Sequence, residues 1–219
     1  MKSQTIRLPK EENISHTEIA DPLKFYYLPF TRSFYIKRLD TLVSFLQEDR
    51  YDKLLDIGCG SGIFLKELET KCNSLHAIDV HKKMHLVLNM IQKEEINTNL
   101  AEASVIDLPY DSATFDCVIA VSVLEHIRDL GGAFNEISRV AAKGADIVLG
   151  FPVKNIATDT IFRLSYTLLP GAKIEDEHVS DHCEIIDTAS KLFKDIAIYN
   201  IPPFLPLNLS FYCILKATK

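Results

Sequence analysis

The 219-residue sequence contains no run of about 18 apolar residues, the length that a membrane-crossing helix needs. It has no Cys-x-x-Cys pair either. Its five cysteines, Cys59, Cys72, Cys117, Cys183 and Cys213, are scattered and odd in number. That pattern argues against a disulfide framework and a structural zinc site, and a reducing cytoplasm is the simplest setting for it. There is no dense Lys/Arg run, and the net charge is −6 with a pI near 5.6. A surface of that sign repels a phosphate backbone, so a nucleic-acid partner is not expected. Met1 to Ser15 is polar and charged, unlike a secretory leader. No internal repeat and no low-complexity tract is present, and nothing signals an oligomeric state.

What remains is an ordinary globular balance, 47% hydrophobic and 25% charged, at a length that suits one substantial domain. Leu23 to Phe34 is rich in aromatics. We read it as a helix packed over the domain rather than a segment on a membrane surface. From Leu54 onward, short apolar runs alternate with helical periods. Strands are expected at Leu54–Ile57, Leu75–Val80, Asn99–Ile106, Cys117–Val121 and Ala145–Phe151. Helices are expected at Ile63–Glu69, His81–Gln92 and Gly132–Ala142, the last stopped by Lys143-Gly144. This alternation predicts an α/β fold, with right-handed crossovers and a parallel sheet covered on both faces. Beyond Pro152 the chain turns polar. Residues 154–190 read as an insertion near the strand C-terminal ends, with a turn at Leu168 to Gly171. Lys191–Asn200 and Ser210–Ala217 read as closing strands, joined by a proline-rich loop.

The densest signal is Leu54 to Leu65, LLDIGCGSGIFL, where a buried strand runs into three glycines at alternate positions before a helix. Glycine allows the sharp turn and the close approach of a ligand. The helix N-terminus then offers free N–H groups to a carboxylate or a phosphate. Asp79 lies 21 residues after Gly58, where an acid meets the ribose hydroxyls of a nucleotide-type ligand. A dinucleotide oxidoreductase is disfavoured because Ile63 occupies the third glycine position of the Gly-x-Gly-x-x-Gly pattern. Asp56, inside the turn, would also repel a pyrophosphate but suits an ammonium group.

These stretches resemble a known family. LLDIGCGSG is similar to motif I of class I S-adenosylmethionine-dependent methyltransferases, and AIDV (Ala77 to Val80) to their second motif. Ile106 to Ile127 resembles the following motifs in the subgroup of ubiquinone and menaquinone biosynthesis enzymes. Asn135 to Pro152 resembles the family's next helix and fifth strand. The resemblance spans roughly residues 50–152. It implies a doubly wound, mostly parallel seven-stranded sheet with an antiparallel closing strand, and S-adenosyl-L-methionine as cofactor. Asp56, Gly58, Cys59, Gly60 and Gly62 would surround the methionine part. Asp79 would bind the ribose diol, with Val80 against the adenine. Asp107 would accept from the adenine amino group beside Leu108. Val121 and Ser122 would floor the sulfonium region. Some quinone-pathway relatives hold a metal with an acid placed three residues before a Glu-His pair. Here that position is Ser122, ahead of Glu125 and His126, so no such metal is expected. On this reading, residues 1–50 form a helical cap, 51–152 the cofactor core, 153–190 a substrate-side insertion and 191–219 the closing strands.

Other residues carry open readings. His126 would touch the cofactor, face the substrate or simply enter a helix. His81 and His85, four apart, are more readily surface residues than metal ligands. His178 and His182, also four apart, lie among Glu175, Asp176, Glu177, Asp181 and Glu184. Either is a candidate general base for a hydroxyl or amine acceptor, or less readily a metal ligand, against a plain solvated acidic loop. Tyr26, Tyr27 and Arg32 either fold over the pocket or pack into the core. The expected partner is a small-molecule methyl acceptor. A non-catalytic domain that kept the cofactor scaffold is the alternative.

Overall fold

The computed structural model describes residues 6–17, 22–155 and 179–219. His178, the Leu168–Gly171 turn and Glu175 to Glu177 lie outside the described residues.

Seven strands form one sheet in the order β3-β2-β1-β4-β5-β7-β6. They are β1 (Tyr51–Ile57), β2 (Cys72–Asp79), β3 (Thr98–Glu102), β4 (Phe115–Val121), β5 (Ala141–Pro152), β6 (Lys194–Ile201) and β7 (Tyr212–Thr218). Strands β1 to β5 run parallel, and β7 pairs antiparallel with both β5 and β6. The helices are α1 (Pro29–Val43), α2 (Leu65–Leu68), α3 (Met84–Glu94), α4 (Leu130–Val140) and α5 (His182–Leu192). This is a doubly wound, mostly parallel seven-stranded sheet with an antiparallel closing strand, as the resemblance implies. No helix among the described residues is long and apolar enough to cross a membrane.

Parallel central strands are buried on both faces, so they need apolar side chains at successive positions. Leu54 packs on one side with Leu39, Leu42, Val87 and Met90, which come from α1 and α3. Leu55 packs on the other with Phe134, Ile137, Ile185 and Ala189, from α4 and α5. The same alternation divides Cys117 and Ile119 from Val118 and Ala120 in β4. From β1 the chain moves outward to β2 and β3, then crosses back to β4 on the other side of β1. That reversal opens a crevice at the C-terminal ends of β1 and β4, where open α/β sheets bind ligands.

Several boundaries differ from the sequence expectations. Strand β3 ends at Glu102, because the next residues curl into a turn in which the Asp107 N–H donates to the Ser104 carbonyl at 3.0 Å. Helix α4 stops at Val140, and Gly144 is not its cap. It sits inside β5 with φ +82°, its N–H bonded to the Lys219 carbonyl at 3.0 Å. Lys191 to Phe193 ends helix α5 rather than opening a strand. Asp181 starts that helix with a reciprocal capping box with Glu184, and Ile185 and Ala189 bury its apolar face.

Candidate functional site

A cavity of about 280 Å³ lies over the C-terminal ends of β1, β2 and β4. Its floor is the glycine turn. Gly58, Gly60 and Gly62 all have positive φ, at +72°, +54° and +81°. A Cβ on Gly58 would strike Val123, and one on Gly62 would strike Met90, so these two glycines serve close packing. A Cβ on Gly60 would meet nothing within 4 Å. It would project into space that a ligand can fill. The Ser61 hydroxyl lines the cavity too and is buried without a hydrogen-bond partner, an open position for a polar ligand group.

Asp79, at the end of β2, fixes the turn. Its Oδ2 accepts from the Gly60 N–H at 2.7 Å, and its Oδ1 accepts from the N–H groups of Val80 and His81 at 2.7 and 3.2 Å. His81 closes a second link. Its Nδ1 accepts from the Lys83 N–H at 3.2 Å, which leaves Nε2 as the donor to the Gly60 carbonyl at 2.9 Å. The ring is therefore a buried brace between two turns, while His85 is exposed. Val80 also lines the cavity with 61% of its surface exposed, an apolar rim suited to a flat ring.

Asp56 lies beneath the turn and is 3% exposed. Burial, reinforced by the nearby Asp79 charge, pushes its carboxyl up to about 7. Two carboxylates close together in a dry wall favour a cationic ligand. The neighbouring Cys59 thiol is pushed up mainly by burial and then by these same acids, so it is inert.

On the far side of β4, Ser122 has φ +56° and contacts the Tyr212 hydroxyl at 3.0 Å. Gly150 of β5 makes room for that phenol, since a Cβ there would stand 2.7 Å from its oxygen. Arg38 of α1 lies over the Tyr212 ring, with its guanidinium carbon 4.3 Å from the centroid. Tyr26 and Arg38 both line the cavity, so the N-terminal segment does cover it. Tyr27 and Arg32 hold that segment in shape instead. Tyr27 donates to the Pro9 carbonyl at 2.8 Å and Arg32 to the Tyr26 carbonyl at 3.3 Å.

The structure brings Asp56, Gly58, Cys59, Gly60, Asp79, Val80, Val121, Ser122 and His126 to the cavity wall. Gly62 packs just behind it, against Met90. Asp107 is exposed and does not line the cavity. Leu108 is buried away from it, its N–H given to Glu136 at 2.8 Å and its carbonyl taken by Arg139 at 2.9 Å. The wall beyond β3 is formed by Ala103, Ser104 and Val105. His182 stands outside the lining, at the first turn of α5, with its Nε2 3.4 Å from Asn208.

Reasoning from sequence missed Arg38, Ser61 and Tyr212. Arg38 had a legible signal. With Tyr35, Leu39 and Leu42 it follows the i, i+3, i+4, i+7 spacing of the helix's buried face. Tyr212 had none, because its place depends on the pairing of β7 with β5.

A family model described as a methyltransferase domain matches residues 55–149, from within β1 to within β5. The solved structure of N-methyltransferase NodS from Bradyrhizobium japonicum WM9, in complex with S-adenosyl-L-homocysteine, superposes with a TM-score of 0.66 at 18% identity. The match covers 92% of this chain and 94% of that one. An uncharacterised protein of Methanocaldococcus jannaschii is 30% identical over 165 residues, 74% of this chain and 68% of its own length. The chain carries a methyltransferase domain over residues 55–149, set in a sheet of the same fold as that N-methyltransferase. The ajmaline N-methyltransferase of Rauvolfia serpentina is 28% identical over 106 residues, 47% of this chain. The chain spans only 36% of the length of that enzyme and 34% of the norajmaline enzyme of the same plant.

Proposed function

We propose that this chain transfers the methyl group of S-adenosylmethionine to a small-molecule acceptor. The observation that carries the reading is the three-glycine turn held by Asp79, with open space above Gly60 and the unpartnered Ser61 hydroxyl beside it. When bound, the cofactor supplies a sulfonium methyl that a nucleophile takes directly. The protein's work is then binding, orientation and exclusion of water.

Asp56 favours the ammonium end of the cofactor and Asp79 the ribose diol. Val80 and Ala103 to Val105 would flank the adenine, a role that their place in the cavity supports better than it supports Asp107 and Leu108. Val121 and Ser122 face the reacting end, and His126 stands at the same wall. His182 is not carried forward as a base, because it lies outside the cavity lining. The proposed division is a cap (1–50), a cofactor core (51–152), an acceptor-side segment from 153, and closing strands that begin at Lys194, after helix α5. The Ile106 to Ile127 motifs support kinship with the quinone-biosynthesis subgroup in the core alone. The scattered free cysteines support a cytoplasmic setting.

Calorimetric titration with S-adenosylhomocysteine, beside NADH as control, tests the reading. Saturable binding of the former alone is expected, abolished in Asp79→Ala and weakened in Asp79→Asn. Preference for NADH, or no binding of either, would overturn it.

A further inference from the structure

Arg38 is 8% exposed and lines the cavity. Its guanidinium lies against two rings, Tyr212 at 4.3 Å and Tyr35 at 4.8 Å from their centroids, and its Nη2 donates to the Tyr26 hydroxyl at 3.4 Å. Among the described residues it has no ion pair, and its Nε is buried without a hydrogen-bond partner. A buried cation that lacks a carboxylate at contact distance is costly. Glu125 is the acid whose field reaches it, and burial pushes the Glu125 carboxyl up to about 8, so that group is mostly neutral near pH 7.

Position assigns this charge to one end of the site. Asp79 and Val80 stand at the end of β2, on one side of the glycine turn. Arg38 stands over Tyr212 of β7, whose hydroxyl reaches across β5 to Ser122 at the end of β4. The charge therefore lies across β4 from the ribose carboxylate, where an acceptor would sit. With its faces against aromatic rings, the guanidinium offers only its in-plane edge. A planar carboxylate matches that edge with paired hydrogen bonds.

We infer that the methyl acceptor is a small molecule bearing a carboxylate, which Arg38 anchors at its Nε edge while Tyr26 flanks the molecule's apolar body. This rests on the methyltransferase reading above. Arg38 is a binding residue here and takes no proton.

The test uses the full chain saturated with S-adenosylhomocysteine, with benzoate and benzamide as probes of matched shape. Ligand-observed NMR titration is expected to show saturable benzoate binding, with benzamide weaker by about tenfold or more. Arg38→Gln should bring benzoate down to the benzamide level without changing affinity for S-adenosylhomocysteine. Arg38→Lys, which keeps the charge and loses the fork, should fall between. Equal binding of the two probes by the unaltered protein would overturn the inference whatever the variants do. Loss of S-adenosylhomocysteine affinity in a folded Arg38→Gln would also overturn it, by assigning the guanidinium to the cofactor's own carboxylate. If S-adenosylhomocysteine fails to bind the unaltered protein, the parent reading falls instead.

Discussion

A Cβ placed on Gly58 would stand 2.2 Å from Cγ2 of Val123, whereas one placed on Gly60, two residues on, would touch nothing. The two glycines thus do different jobs in one turn. Gly58→Ala combines a left-handed backbone with a clash and should cost about 2–5 kcal/mol of stability. Gly60→Ala should cost only about 1–2 kcal/mol, the left-handed term alone. It should nevertheless weaken S-adenosylhomocysteine binding by about tenfold or more, a loss of ~1.4 kcal/mol. Urea denaturation and calorimetry on both variants separate the effects. Equal stability losses would refute the division.

Asp56 sets a pH dependence on cofactor binding. Its carboxyl titrates near 7 in the free protein because it is buried and faces Asp79. An ammonium group stabilises the ionised form, so binding releases the proton wherever Asp56 still holds one. Affinity should therefore fall as pH drops below about 7 and level off above it. Asp56→Asn should bind more weakly and show a flat profile. A slope that survives this substitution would place the titrating group elsewhere.

Glu125 imposes the opposite trend on stability. Its folded-state carboxyl is raised to about 8, chiefly by burial and against the pull of Arg38. Between its unfolded and folded titration points the native state binds the extra proton, so stability declines as pH rises from about 4.5 to about 8. Glu125→Gln, uncharged throughout, should lose that decline. Thermal midpoints at about pH 5 and pH 8 for both proteins are the check, with an unchanged gap counting against the assignment.

Tyr51 illustrates a staple distant from the cavity. Its hydroxyl donates to Asp146, which also accepts from the backbone and side-chain amides of Gln47 at 3.1 and 2.9 Å. Tyr51→Phe removes that donor from a buried acid and should cost about 1–3 kcal/mol. Binding of S-adenosylhomocysteine should stay as it was. A parallel loss of affinity would mean that strain at the foot of β1 travels to the turn.

The core was legible in the sequence because its determinants are local. LLDIGCGSG carries strand, turn and helix entry within a dozen residues, and Asp79 follows at a fixed chain distance. Legibility failed where partners are remote. Asn99–Ile106 is apolar enough for a strand, yet Ser104 and Asp107 bridge to each other and leave Asp107 outside the cavity. Gly144 reads as a helix stop, but an unusual strand geometry needs the same residue. The far side of the cavity was opaque beyond Ser122 because Arg38 and Tyr212 come from opposite ends of the described chain. They meet only through the antiparallel entry of β7 between β5 and β6.

That entry has a consequence in time. Chains grow at about 5–20 residues per second and tend to fold from the N-terminus as they emerge. Here α1 is made before β1 but cannot settle completely with it, since the ring under Arg38 belongs to β7. The parallel strands and their glycine turn can assemble while the ribosome is still translating. Leu39 and Leu42 of α1 can join them at Leu54, but Arg38 has to wait for its ring until residue 212 is out. During synthesis, the Arg38 side of the cavity is therefore the last part of it to close.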